Sequence, residues 1–502
     1  MVLLALGAAS YSVVRLVEAF GLYREKAWSE VLAAASGAIY RPIELYEWVH
    51  HPTWLRAEIF VLNAIVVTIM LRAALNRRRA QQLNTESGQP TDHAGHGLVR
   101  KTCPCRGRVA TLARMERTLH NGAPRSGRYP ELFTLPTDAQ RRAFADMRDF
   151  YPTRTIRRGP QVRELSLGRP VDFHYEADGH RLSIDDFMRR GGTTGLLILK
   201  RGEVVCERYA HGHTAQTRWI SFSMAKSITS TLVGAAMHDG LIASLDDPVT
   251  LTVPQLRGSA YDSVTIRQVL QMSSGVRWVE TYLDAESDRR KLMAIQQREE
   301  PGAVLDYLRT LPRDAEPGSR FNYNTAETFL LGAILRGAIR QPVSDYLSAK
   351  IWQPGGMESD AYWQLDSEGG QEFTGSGLNA TLRDYARFGA FVLADGVLDG
   401  RRVLPEGWMA QSTSAAPGSM LEPGHLAGFE PLGYGYQWWT FPARVGPRVF
   451  GALGIFGQQI YVDVDEQLVI VLHSVWPEPV HLASRLESYV FFAAATRALQ
   501  GR

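Results

Sequence analysis

Trp219-Ile220-Ser221-Phe222-Ser223-Met224-Ala225-Lys226-Ser227-Ile228-Thr229-Ser230 is the stretch on which the fold turns. It opens a small-residue run that reads as a buried helix. On a helix, residues three apart share a face, so Lys226 comes to lie beside the Ser223 hydroxyl. The helix N-terminus adds partial positive charge at the same place. Both effects lower the cost of a serine alkoxide at neutral pH and make Ser223 a candidate nucleophile. A serine and a lysine at this spacing also arise by chance, with the lysine simply solvated, so the surroundings decide the reading.

Upstream, Gly195 to Tyr209 reads as two strands around a Lys200-Arg201-Gly202-Glu203 turn. Downstream, Gly240-Leu241-Ile242 ends the helix, and Leu245-Asp246-Asp247-Pro248-Val249 opens a loop. The order is hairpin, linker, nucleophile, buried helix, stop.

A serine–lysine pair needs a further proton carrier and a site for the oxyanion. The segment Glu316-Pro317-Gly318-Ser319-Arg320-Phe321-Asn322-Tyr323-Asn324-Thr325-Ala326 turns at Pro-Gly, extends through Tyr323 and enters a helix near Ala326. That puts the Tyr323 hydroxyl at a loop-to-helix junction rather than in a core. Ammonium or hydroxyl donors nearby would lower its pKa, so Tyr323 is expected to take the Ser223 proton and later protonate the leaving group. The oxyanion site is expected on an edge strand near the C-terminus, in the glycine-punctuated run Phe450-Gly451-Ala452-Leu453-Gly454-Ile455-Phe456-Gly457-Gln458. The backbone N–H groups of Ser223 and Ile455 are the expected donors. Leu468 to Leu472 reads as a buried return strand.

From about residue 150 onward the chain resembles the serine β-lactamase and DD-peptidase superfamily. Within it, the resemblance is to class C-like esterases and, more closely, to 6-aminohexanoate-dimer hydrolases, amidases of nylon oligomers. It is carried by Ser221-Phe222-Ser223-Met224-Ala225-Lys226-Ser227, Gln271-Met272-Ser273-Ser274-Gly275-Val276, Phe321-Asn322-Tyr323, Gln437-Trp438-Trp439 and Gly454-Ile455-Phe456-Gly457-Gln458. The resemblance implies that Ser223 is acylated, that Lys226 and Tyr323 move its proton, and that Ile455 donates to the oxyanion. It implies substrate contacts from Gly454 and from Tyr282, which matches a tyrosine that closes over the amide in the nylon-oligomer enzymes. Two departures stand out. Thr325 replaces the asparagine of the tyrosine motif. Ala452-Leu453-Gly454 replaces Lys-Thr-Gly, and that lysine recognises the β-lactam carboxylate. Its absence argues against efficient antibiotic or stem-peptide cleavage and leaves esters or small amides.

The first eighty residues differ in character. Ile59 to Leu71 is almost wholly apolar and is followed by Arg77-Arg78-Arg79, as in a membrane span with a cationic stop. Met1 to Tyr23, with Arg15 and Glu18, and Trp28 to Val49, with Pro42, Glu44 and Glu47, are two further candidate spans. The n-region lacks the positive charge and cleavage site of a signal peptide. Val14-Arg15-Leu16-Val17-Glu18-Ala19-Phe20-Gly21-Leu22-Tyr23, Trp28-Ser29-Glu30 and Gly37 to Glu47 resemble a family of uncharacterised bacterial integral-membrane proteins, without that family's beginning. With three spans, Arg24, Lys26 and Arg77 to Arg79 fall on one side, expected to be cytoplasmic and to hold the catalytic region. Residues 80–126 read as a polar, basic linker. Within it, His93, His96 and Cys103-Pro104-Cys105 lack the further ligands a metal site needs. Three cysteines give no disulfide framework. A net charge of +3 is too small to argue for nucleic acid.

The expected architecture is therefore α/β (α+β). About three transmembrane helices occupy 1–79, a linker 80–126 and a β-lactamase-like domain 127–502. In that domain an antiparallel sheet is flanked by helices, and a helical subdomain is inserted between the nucleophile helix and the C-terminal strands. The expected function is a serine hydrolase of esters or small amides, without metal or organic cofactor. The alternative is a membrane-tethered, penicillin-binding-like sensor that turns over slowly.

Overall fold

The computed structural model describes residues 131–501. The three expected spans, the linker and its histidines and cysteines lie outside them. Among the described residues no helix is long and apolar enough to cross a membrane.

A seven-stranded antiparallel sheet forms the centre. Its order is Gly433–Tyr434, Trp439–Thr440, Val449–Leu453, Gln459–Asp463, Leu468–Ser474, Thr193–Lys200 and Glu203–Tyr209. Two interior strands, Thr193–Lys200 and Leu468–Ser474, are buried along their whole length. Successive side chains on a strand point to opposite faces, so an unbroken apolar run signals a sheet covered on both. Leu197, Leu199, Val469 and Val471 join one core, with the helices Met224–His238, Thr325–Ile339 and Leu382–Leu393. Leu196, Ile198, Ile470 and Leu472 join the other, under the C-terminal helix Leu482–Leu499 and the short helix Ile184–Arg190. There Phe187 stacks on Phe491 at 3.9 Å between ring centroids.

The expected inserted subdomain is present between Met224–His238 and the C-terminal strands. It supplies two strands, Ala361–Gln364 and Leu378–Thr381, of a second, four-stranded antiparallel sheet that the sequence reading did not contain, in the order Thr153–Ile156, Ala361–Gln364, Leu378–Thr381 and Arg218–Ile220. Its last strand leads directly into Ser221-Phe222-Ser223 and fixes where the nucleophile helix begins. Met224–His238 and Thr325–Ile339 pack side by side in the first core.

Two segments carrying the family resemblance are structural. A Cβ on Gly275 (φ 76°) would lie 2.0 Å from the Ala315 carbonyl oxygen, so the turn after Ser273-Ser274 admits only glycine. Gln437 ties three helices to the sheet. Its side-chain amide donates to the Val269 and Leu270 carbonyls at 3.0 and 3.1 Å and accepts from Thr328 Oγ1 at 2.7 Å. Its own carbonyl accepts from Ser227 Oγ at 2.7 Å.

Candidate active site

Ser223 is the N-cap of the nucleophile helix, yet its hydroxyl makes no capping bond. A serine in that position ordinarily accepts from a first-turn N–H. Here Ser223 Oγ instead lies 3.1 Å from Lys226 Nζ. Lys226 is 1% exposed, and its Nζ also donates to Thr325 Oγ1 at 3.0 Å and to the Gly375 carbonyl at 2.8 Å. Burial lowers its pKa to about 7; Glu280 opposes the fall and Arg289 adds to it. Burying an ammonium costs several kcal/mol in effect, so the amine sheds its proton far more readily than a surface lysine does.

Tyr323 joins the pair. Lys226 Nζ sits 5.1 Å from its ring centroid, and its hydroxyl faces Ser223, which acts to lower its pKa. Two expectations about it are corrected. The side chain is buried, at 8% exposure, in a box of Trp439, Tyr434 and Phe429, with Trp439 stacked at 5.6 Å. Its pKa is raised rather than lowered. Burial is the largest cause and the Glu280 charge adds to it, outweighing the Ser223 hydroxyl and the fields of Arg485 and Arg289. The phenol therefore stays protonated at neutral pH, which suits a proton donor.

The Ile455 segment is also corrected. Val449–Leu453 and Gln459–Asp463 are two strands of a hairpin around the short turn Ile455–Gly457, and they lie inside the sheet, not at its edge. The short outer strand pairs Trp439 with Gly451 and Thr440 with Phe450 and goes no further. Beyond Gly451 that side of the strand is unpaired and runs beside Ser223. A Cβ on Gly454 would meet the Ser221 carbonyl oxygen at 2.7 Å and the Ser223 nitrogen at 3.3 Å, so the approach needs glycine. Neither the Ser223 nor the Ile455 N–H donates to an acceptor among the described residues. Both adjoin strained backbone. Phe222 (φ 42°) precedes Ser223, and Phe456 (φ 58°) follows Ile455. Positive φ is uncommon for such residues and persists where packing enforces it. The two rings lie 5.7 Å apart, and Phe144, from the helix Thr137–Ala145, packs on both at 4.9 and 5.3 Å.

Ser223, Tyr323, Gly454, Ile455 and Tyr282 line one cleft of about 260 Å³. The residues expected to act in catalysis or to touch substrate thus lie together, with Lys226 bonded to Ser223 behind the cleft wall. The sequence reading missed three others. Glu280, two residues before Tyr282, accepts from Tyr282 Oη at 3.3 Å and Trp278 Nε1 at 2.5 Å. It also takes the Thr325 N–H at 3.0 Å and the Thr325 hydroxyl. Thr325, noted only as a departure from the motif, links Glu280 to Lys226. Arg485 enters the cleft from the C-terminal helix, and its guanidinium has no ion-pair or hydrogen-bond partner among the described residues. The Trp-x-Glu-x-Tyr spacing of Trp278, Glu280 and Tyr282 was the one available sign of Glu280. Arg485 had none, being one arginine on a partly exposed helix.

The model of the Beta-lactamase family matches residues 182–495. The chain belongs to the beta-lactamase family. Consistent with that membership, it is 32% identical over 347 residues to 6-aminohexanoate-dimer hydrolase of Paenarthrobacter ureafaciens, covering 67% of this chain and 86% of the relative. This beta-lactamase-family chain is a hydrolase of the serine type, among relatives that hydrolyse amides and esters. Two solved structures share its fold. One is a Bacillus anthracis protein proposed to be a 6-aminohexanoate-dimer hydrolase (TM-score 0.66, 22% identity, 75% of this chain and 98% of that one). The other is EstCE1, described as a hydrolase with promiscuous acyltransferase activity (TM-score 0.50, 16% identity, 62% and 96%). Residues 1–74 match a second family, described as a predicted membrane protein (DUF2127).

Proposed function

We infer that this protein hydrolyses ester or small amide bonds through an acyl-enzyme on Ser223. The observation that carries the reading is the 3.1 Å contact between Ser223 Oγ and a lysine whose burial brings its pKa to about 7. Neutral Lys226 accepts the Ser223 proton as Oγ bonds to the substrate carbonyl carbon. The carbonyl oxygen takes the negative charge and is held by the Ser223 and Ile455 N–H groups. Donors of this kind are each worth about 10²- to 10³-fold in rate. As the carbonyl re-forms, the bond to the leaving nitrogen or oxygen breaks, and Tyr323 supplies the proton that group needs. Water then attacks the ester on Ser223, and the same groups run in reverse to release the acid.

The decisive experiment is rapid acid quench of a reaction with a p-nitrophenyl ester, followed by peptide mass spectrometry. The expected result is an acyl adduct on Ser223 that forms in a burst and decays at the steady-state rate. An adduct that persists would favour the slow-turnover sensor, and labelling elsewhere would exclude Ser223 as the nucleophile.

Arg485 bears on the substrate. The cleft walls are largely apolar, through Phe429, Leu432, Trp439, Leu453 and Trp476, with one unpaired guanidinium. A 6-aminohexanoate oligomer, the substrate named for the relative, combines an apolar chain with a carboxylate. Arg485→Ala is expected to raise KM about tenfold for a carboxylate-terminated linear amide, the scale of one charged hydrogen bond. The KM of an uncharged ester should hold, and parallel changes in both would remove Arg485 from substrate recognition.

The membrane-family match over residues 1–74 supports attachment of the 127–502 hydrolase to a membrane. The basic residues Arg24, Lys26 and Arg77 to Arg79 favour the cytoplasmic side for it.

A further inference from the structure

We propose that Glu280 is a positioning residue: acting through the Thr325 hydroxyl, it aims the lone pair of Lys226 at Ser223. The proposal rests on the reading of Ser223 and Lys226 given above. It comes from following each hydrogen along the chain of bonds. Glu280 Oε2 faces two groups that can only donate, the Thr325 N–H at 3.0 Å and Trp278 Nε1–H at 2.5 Å. Glu280 Oε1 accepts the Thr325 hydroxyl hydrogen. With that hydrogen committed, Thr325 Oγ1 accepts from Lys226. The Gly375 carbonyl can only accept, and it too takes a hydrogen from Lys226. A neutral amine has two hydrogens and one lone pair. Both hydrogens are now placed, and the one remaining neighbour is Ser223 Oγ. The lone pair therefore meets the serine hydrogen, as a general base requires.

Glu280→Gln probes this without changing shape. Its amide oxygen must occupy the Oε2 position, because two obligate donors face it. Its NH₂ then faces Thr325 Oγ1 and Tyr282 Oη. The NH₂ donates to Thr325, whose hydrogen turns toward Lys226 and competes with Ser223 for the lone pair. Lys226 is also faced by Arg289, 3.7 Å from Glu280, and by the Tyr323 ring. The Glu280 charge favours the ammonium, so its removal shifts the acid limb of the rate profile to lower pH while the plateau falls.

The test is the pH dependence of kcat/KM on a p-nitrophenyl ester, for the full chain. Glu280→Gln should lose about 10- to 100-fold at the plateau, a part of the roughly 10²- to 10⁴-fold that one general base contributes, because Lys226 itself remains, with its acid limb displaced to lower pH. Thr325→Val should lose a similar factor, and Thr325→Ser should recover most of it by restoring a hydroxyl. The double variant E280Q/T325V should lose no more at the plateau than Thr325→Val alone, because both break one chain. A plateau unchanged in Glu280→Gln, a fall with no displacement of the limb, or losses that multiply in the double variant would each overturn the proposal. Ser223→Ala is run beside them. If it keeps turnover, the underlying assignment of Ser223 fails; if it is inactive while Glu280→Gln is unaffected, only the role of Glu280 fails.

Discussion

Ser223→Ala is expected to fold as the parent does and to lose roughly 10⁴-fold or more in kcat/KM, the scale seen when an acyl-transfer nucleophile is removed. The two halves of that expectation have separate causes. A serine at a helix N-cap usually contributes about 1 kcal/mol through its capping bond. The Ser223 hydroxyl makes none, so its removal leaves the helix terminus as it was. What disappears is the bond-forming oxygen and one hydrogen-bond partner of Lys226, which keeps Thr325 and Gly375. A denaturation midpoint close to that of the parent, together with loss of ester turnover, would meet the expectation. Turnover at the parent rate would move the chemistry to another residue.

Tyr323→Phe is expected to divide substrates by their leaving group. Burial keeps the phenol protonated, so its work is to donate a proton rather than to deprotonate Ser223. An amine cannot depart from a tetrahedral intermediate without a proton, whereas p-nitrophenolate can. In kcat/KM, which reports only the steps through acylation, the variant should lose about 10³- to 10⁴-fold on a linear amide and about tenfold or less on a p-nitrophenyl ester, since general acid catalysis contributes at that scale only where protonation is required. Trp439, Tyr434 and Phe429 touch the ring rather than the hydroxyl, so packing should survive. Equal losses on both substrates would instead make Tyr323 the base.

These expectations also separate what the sequence could disclose from what it could not. Ser223 and Lys226 were legible because three helical residues of spacing bring them together whatever the rest of the chain does. Tyr323 was legible because a Pro-Gly turn and an approaching helix bracket it, but its proton affinity was not. That depends on Trp439, Tyr434 and Glu280, which arrive from distant segments and make burial dominate. The glycines around Ile455 disclosed a close backbone approach. They did not disclose that a hairpin turns there or that two short strands lie outside it. Glu280 stands 45 residues from Thr325 in the chain, and no local pattern pairs them. The second sheet was hidden for the same reason: Thr153–Ile156 meets Ala361–Gln364 across some two hundred intervening residues.

The sealing of Lys226 has a chemical consequence. A primary amine with a pKa near 7 is ordinarily among the first groups in a protein to be consumed by aldehydes, isocyanates and activated acids from solution. This one is walled in by Thr325, Gly375 and the Tyr323 ring, and its one open direction is blocked by Ser223. Electrophiles entering the cleft meet oxygen before nitrogen, so the amine that drives the reaction is also guarded by the atom it activates.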